Sequence, residues 1–365
     1  MKIWLISTFF CRQNYLTIIA LSVIILEKRF NPFGGLIYAR NKRRRRISRC
    51  FNFYRLQRFK WQKNVSSETT ERVLAAARQL NYQADGIARS MKSQHSKLVG
   101  VIIPSICRVF FPQVISGIQA AADEAGYTLL IYSSEDSVEN EKMMLNTLLN
   151  FRVDGIILDT LAPDTDKEYL SSLKNLSSGK KDIPVIGLER NLTLYGLDSV
   201  FIDNHTSSAL ITQQLIFDGA KRIAFLNAGL GNSRLEGYIK TLHLNGLALD
   251  ENLIINGEIN SPLGGYNCTK QLIASGQRFD AIIGANDQIA IGAIGALKEH
   301  GYRIPEDVSV VGFDNIFIAS IIDPPLTTID VPKYNMGFSA FQALLRRIED
   351  KTFPPDAIEL PIEII

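Results

Sequence analysis

The sequence predicts an α/β body built on doubly wound parallel sheets, preceded by a short helical segment and a basic N-terminal stretch. Two observations carry this expectation. From Val99 onward, short continuous apolar runs alternate with helix-like segments. Such runs suit strands covered by helices on both faces, whereas a sheet with one wet face would alternate apolar and polar. The charge is also divided along the chain. Residues 1–64 hold 15 Lys/Arg against the single acid Glu27, a balance of +14, and residues 65–365 carry a balance of −11. An acidic body with a basic head suits a nucleic-acid binder that repels DNA away from its contact face. A chain of 365 residues, 46% hydrophobic and 21% charged, has the composition of a soluble globular protein of two or three domains.

The N-terminal stretch fits no element. Leu16–Leu26 is apolar but shorter than the roughly 20 residues a spanning helix needs, and no small-x-small cleavage site follows it. Neither a membrane span nor export is expected. Residues 40–63 contain 11 basic residues and no acid. They read as a basic arm on phosphates, with Phe51, Phe53, Tyr54 and Trp61 stacking on bases, or as a segment without evolved structure. A third reading comes from the genetic code. Arg49–Leu56 can be encoded so that a one-base shift yields G-V-S-I-S-T-V-S, which resembles the turn and recognition-helix start of a helix-turn-helix. Lys63-Asn64 lies where an A-rich codon run restores frame. Residues 1 to about 63 are therefore expected to be largely an out-of-frame translation.

Val65 begins a recognisable order. Ser66 or Ser67 is placed as an N-cap and Glu71 as its capping-box partner, with Val73, Leu74, Ala77 and Leu80 at helical spacing. Ala84–Lys92 is small, basic and weakly helical, a segment that folds when docked or else a simple linker. As a docked hinge, the small Ala88 permits close approach of two copies. Met91 would wedge into a minor-groove step, with Arg89 and Lys92 on phosphates. The body follows: a strand at Val99–Pro104, a helix at Phe111–Ala125 ended by Gly126, a strand at Tyr127–Tyr132 and a helix near Ser137–Phe151. Further strands are expected at Gly155–Leu158, Pro184–Leu188, Ser199–Ile202, Arg222–Leu226, Ala281–Gly284 and Val308–Phe313.

Ligands of parallel sheets bind beyond the carboxyl ends of the strands, so the residues just after each strand are the candidates. Phe110 and Phe111 follow the first strand and either stack on a ring or pack in the domain. Glu189 and Arg190 follow Leu188. The loop N-A-G-L-G-N-S-R places Arg234 at a helix start, where its fork of donors can grip hydroxyls or a carboxylate; no G-K-[ST] follows, so it is not a phosphate loop. Asn286 and Asp314 are placed to take hydroxyls of one ligand, with helix capping the plain alternative for Asn286. His95, His205, His243 and His300 sit in no catalytic spacing, and no nucleophile motif is present, so an enzyme is not expected. Cys11, Cys50, Cys107 and Cys268 show no C-x-x-C spacing. They imply no metal or other cofactor, and free thiols favour a cytoplasmic location.

Val65–Lys92 resembles the last headpiece helix and hinge helix of the lactose-repressor/galactose-repressor family, and the resemblance runs on to about Ile365. A-N-D-Q-I-A-I-G, Pro305–Asp314 and Pro324–Asp330 look like its hallmark stretches. The resemblance implies a type I periplasmic-binding-protein-like body, and places Phe110, Phe111, Arg190, Arg234, Asn286 and Asp314 at effector-pocket positions. Met91 stands where the family usually has an intercalating leucine. The implied domains are 1–64, 65–96 and 97–365. The last divides into a first subdomain of 97–200 plus 329–353 and a second of 202–326 plus 356–365. The crossings fall near Val200–Asp203, Leu326–Ile329 and Phe353–Asp356. Relatives usually extend past E-L-P-I-E-I-I, so a clipped C-terminal edge is expected.

The implied function is a homodimeric, ligand-responsive repressor of a sugar-utilisation operon. A sugar or sugar derivative in the cleft would set whether the hinges pair on operator DNA. The alternatives are a periplasmic-type sugar-binding protein and a damaged repressor copy that binds effector but not operator. Resequencing codons 35–70 is expected to reveal a single-base slip whose correction restores a helix-turn-helix. An unbroken frame would make residues 1–64 genuine and leave the polyarginine arm as the DNA contact.

Overall fold

The computed structural model describes residues 95–365 apart from 180, 229–232 and 258. The expectations for residues 1–64, for the helix after Ser66 and for Ala88, Arg89, Met91 and Lys92 lie outside the described residues. The described chain begins β1 (Leu98–Ile103), α1 (Phe111–Ala125), β2 (Thr128–Ser133), α2 (Val138–Asn150), β3 (Gly155–Leu158) and α3 (Lys167–Ser172). A small hairpin, β4 (Ser177–Ser178) and β5 (Lys181–Asp182), precedes β6 (Val185–Leu188) and β7 (Asp198–Phe201). Then come α4 (Asn204–Phe217), β8 (Ile223–Ala228), α5 (Ser233–Leu244), β9 (Ile254–Gly257), α6 (Pro262–Ala274), β10 (Ala281–Gly284) and α7 (Asp287–Glu299). The last elements are β11 (Ser309–Asp314), β12 (Thr327–Asp330), α8 (Lys333–Glu349), β13 (Ala357–Glu359) and β14 (Glu363–Ile364).

The strands form two six-stranded sheets, ordered β13-β7-β6-β3-β1-β2 and β14-β12-β11-β10-β8-β9. Every pairing in them is parallel except β14 against β12. Each sheet is covered on both faces, which explains the unbroken apolar runs. Along β1, Val99, Val101 and Ile103 join one core layer and Ile102 the other. Along β8, Ala224 and Leu226 face one layer, and Ile223 and Phe225 the opposite one. Short polar side chains start the helices. Ser137, Asp203, Ser261 and Asn286 accept from backbone N–H groups in the first turns of α2, α4, α6 and α7, satisfying donors a helix start leaves unpaired.

The chain crosses between the sheets three times. It leaves β7 of the first sheet at Ile202, and Asp203 caps α4 of the second subdomain. The other two crossings lie further along than the sequence suggested. Thr327–Asp330 belongs to the second sheet, so the second crossing is at Val331–Pro332 instead of Leu326–Ile329. Ala357–Glu359 pairs with β7 of the first sheet, so the third is at Leu360–Ile362 instead of Phe353–Asp356. The physical reasons are local. Thr328 and Ile329 are fully buried in the second sheet. Residues 353–356 are tied to the first by Arg347, whose guanidinium donates to Asp198 (2.7 and 2.6 Å) and to the Pro354 carbonyl (3.0 Å).

The helix pairs covering the sheets meet backbone to backbone. A Cβ on Gly117 of α1 would lie 2.0 Å from the Tyr334 carbonyl oxygen of α8, and one on Gly337 of α8 would lie 1.9 Å from that of Val114. The second subdomain repeats the device: Gly265 of α6 abuts Ile289 of α7, and Gly292 abuts Pro262. Gly117→Ala and Gly292→Ala should each destabilise by roughly 1–3 kcal/mol through forced separation, although Ala is the better helix former. Gly295, with only a 3.9 Å neighbour, is the control: Gly295→Ala should stabilise by roughly 0.5–1 kcal/mol. Denaturant titration separates the two groups, and no loss at Gly117 or Gly292 would mean that the helices separate without cost.

Candidate ligand-binding cleft

The carboxyl ends of the second sheet build one wall. Arg234, in the first turn of α5 and 8% exposed, donates from Nε to Asn204 Oδ1 (2.7 Å), from Nη1 to the Ala285 carbonyl (2.6 Å) and from Nη2 to Asp314 Oδ1 (3.3 Å). Its guanidinium also lies 4.7 Å from the centre of the Phe313 ring. This one side chain therefore joins α4, β10 and β11. Asp314 ends β11 at a φ of +103°, and Lys333 at the start of α8 holds that turn. The Lys333 Nζ donates to the carbonyls of Asp314, of Asn315 (3.0 Å) and of Val331 (3.0 Å). Burial pushes the Asp314 carboxyl up, opposed by Arg234 and Lys333; burial pushes the Lys333 ammonium down, opposed by Asp314.

Asn286 lies at the same end and caps α7. Its Oδ1 accepts from Ile289 N (3.0 Å), while its Nδ2 donates to Asn260 Oδ1 (2.7 Å). The next residue, Asp287, is fully buried and accepts from Thr328 Oγ1 (2.6 Å) and Ile316 N (2.8 Å). It fixes the loop that carries Asp314 to the strand beyond it. Burial pushes its carboxyl up to about 7.

The first sheet supplies the facing wall. Asp159 follows β3 and Glu189 follows β6, two strands paired in register with Leu158 beside Gly187. Asp159 is 7% exposed, and burial followed by the charge of Glu189 holds its carboxyl well above the usual carboxylate range. Glu189 has a φ of +64°, and its buried Oε1 has no hydrogen-bond partner. Burial pushes Glu189 up to about 7, with Arg234 opposing and Asp314 adding to the shift. That influence reaches from the second sheet to the first, so the two walls face each other. Arg108, in the loop after β1, acts on Asp159, Glu189 and Asp314 together.

The predicted site residues therefore divide. Arg234 and Asp314 are bonded to each other, and Asn286 follows Ala285, whose carbonyl accepts from Arg234. Arg190 stays within its own sheet: it donates to the Ala162 carbonyl (2.6 Å) and to Asp164. Phe110 and Phe111, 7% and 2% exposed, pack edge to face at 5.3 Å in the core layer with Val114 and Ile118. Their packing alternative is the one this geometry matches, because α1 begins at Phe111 and turns that ring inward. Asp159, Lys333 and Asn204 were not singled out from the sequence. Asp159 obeys the same rule that singled out Glu189 and Arg190, standing directly after a strand. Lys333 and Asn204 begin helices that follow crossings, where apolar runs give no signal. Among the described residues no three His, Cys, Asp or Glu are placed to hold a metal, and no helix is long and apolar enough to cross a membrane.

Comparison with known proteins agrees with this architecture. The family model described as periplasmic binding proteins and sugar binding domain of the LacI family matches residues 96–365. The HTH-type transcriptional repressor PurR of Vibrio atlanticus is 32% identical over 305 residues, covering 82% of this chain and 89% of that protein. The HTH-type transcriptional regulator RegA of Clostridium saccharobutylicum is 31% identical over 306 residues, covering 82% and 90%. Among solved structures, the lac repressor dimer bound to operator and the anti-inducer ONPF superposes with a TM-score of 0.74 at 26% identity, covering 88% of this chain and 93% of that one. The transcriptional regulator CelR–cellobiose complex gives 0.65 at 25% identity, covering 87% and 93%.

The raised carboxylates set a pH dependence. A buried acid with a folded pKa above its unfolded value binds more protons in the native state, so stability falls as pH rises through that interval. For Glu189 the window runs from 4.5 to about 7, and Asp287 acts in the same direction from 3.8 to about 7. Thermal melts of the protein without ligand should lose stability across this window, and Glu189→Gln should flatten part of the slope. An identical slope in the variant would show that Glu189 does not titrate there.

Proposed function

Because this chain belongs to the LacI family of transcriptional regulators and carries its periplasmic-binding-protein-like body, we propose that it is a repressor of a sugar-utilisation operon. Its effector, a sugar or sugar derivative, would bind between the two sheets. The observation that supports this most directly is the Arg234–Asp314 pair on one sheet facing Asp159 and Glu189 on the other. A ligand gripped by both walls binds one relative angle of the subdomains better than another. It therefore shifts their equilibrium by the difference in affinity. The second crossing, held at the Val331 carbonyl by Lys333, and the third transmit that angle. Arg234, Asp314 and Asn286 hold the ligand in this reading. Arg190 braces the loop after β3, and Phe110 and Phe111 shape the floor from within the core.

The readings of the hinge (Ala88, Arg89, Met91 and Lys92 on operator DNA), of a homodimer and of a cytoplasmic location belong to the same proposal. Two relatives support it by what they are: a regulator solved with cellobiose and a repressor solved on its operator. The function is regulatory and not enzymatic, in keeping with relatives that are named as repressors and regulators.

Calorimetric titration with a panel of mono- and disaccharides tests the cleft. Asp314→Asn should weaken the binding of any responding sugar by about tenfold or more, because Arg234 loses its charged partner. Asn286→Ala should weaken it less. Both should leave affinity for DNA, read by fluorescence anisotropy, nearly unchanged. Equal loss of sugar and DNA binding would mean that these residues serve the fold alone.

A further inference from the structure

Two carboxylates on the first-sheet wall have no partner among the described residues that explains them. Asp159 is 7% exposed, yet its carboxylate makes no hydrogen bond or ion pair among the described residues. Its neighbour Glu189 buries Oε1 without a partner. Behind Asp159 stands a third carboxylate, Glu141, already fully engaged by Thr160 Oγ1 (2.7 Å), Leu161 N (3.0 Å) and Tyr169 Oη (2.6 Å). The cations nearby are engaged as well. Arg108 pairs with Asp136, Arg190 with Asp164 and a carbonyl, Arg234 with Asp314, and Lys333 with three carbonyls.

Resting on the reading of this cleft as the effector site, we propose that the effector is a polyhydroxylated compound bearing a primary amine, with its ammonium seated between Asp159 and Glu189. A neutral sugar would strip water from both carboxylates and return no charge, which is costly for buried ions. An ammonium presents three donors, enough for the bare Glu189 oxygen and for Asp159, and it cancels the repulsion between them. The hydroxyls fall to Asp314 and Asn286 opposite. The free protein relieves the repulsion by holding a proton on the coupled pair; the arriving cation displaces that proton to the buffer.

The test is calorimetry on the full chain with glucosamine, galactosamine and mannosamine, each against glucose, galactose or mannose, in phosphate and in HEPES. At least one amino sugar should bind about tenfold or more tighter than its neutral counterpart. The heat should differ between buffers in the sense of proton release. Asp159→Asn and Glu189→Gln should each remove most of that preference and the released proton. Asp159→Asn should also raise the melting temperature of the ligand-free protein, since it removes a repulsion; a residue needed only for the fold would lower it. Neutral sugars that bind as tightly as their amino counterparts, or amine binding indifferent to both substitutions, overturn the proposal. If neutral sugars bind as tightly as their amino counterparts and Asp314→Asn abolishes that binding, the cleft reading stands and the amine does not. Binding of neither set overturns both.

Discussion

The Arg234 guanidinium is the group on which the second wall of the cleft depends. It comes from α5, yet its bonds run to the start of α4, the end of β10 and the end of β11, and its face rests on Phe313. Arginine alone among the side chains offers five donors in a fixed plane, and here that plane binds three separate chain segments into one surface. A buried ion pair of this kind adds little net stability over an apolar replacement, but removing one partner strands the other charge. The pair is thus better understood as fixing geometry than as supplying fold energy.

The backbone bears the cost of the same arrangement. Glu189, Asp314 and Asn315 adopt positive φ without being glycine, a conformation that costs on the order of 1–3 kcal/mol each and persists where neighbours enforce it. Lys333 is one enforcer: its three carbonyl acceptors include those of Asp314 and Asn315 and the Val331 carbonyl in the second crossing. A single ammonium therefore links the turn that ends β11 of the second sheet to the segment that leads back to the first.

Much of the fold was legible in the apolar runs. The helix at Phe111–Ala125 and the strands at Gly155–Leu158 and Ala281–Gly284 are found to the residue, because buried parallel strands and a Gly-stopped amphipathic helix leave strong local patterns. The second and third crossings were misplaced because they depend on long-range partners. Thr327–Asp330 is a strand by virtue of Val311–Asp314 beside it, and residues 353–356 stay with the first sheet through the salt bridge from Arg347 to Asp198, distant in sequence. The site followed the same division. That Arg234, Asn286 and Asp314 gather at the carboxyl end of the second sheet was readable from their place after strands. That Asp159 and Glu189 lack hydrogen-bond partners among the described residues was not, since it is a property of what surrounds them.

These features meet in the way the two walls are made. The second wall is satisfied internally: Arg234, Asp314, Asn286 and Lys333 each have partners, so its shape is set before any ligand arrives. The first wall is left incomplete, with two carboxylates crowded at adjacent strand ends. The two carboxylates of the first wall cannot both ionise without cost, because desolvated like charges repel. A complementary group seated between the two carboxylates would relieve that repulsion, and it would bear on the subdomain angle only if the same molecule also touched the second wall. On the proposed reading, ligand affinity and subdomain angle are one free-energy term, to which the two carboxylates of the first wall contribute.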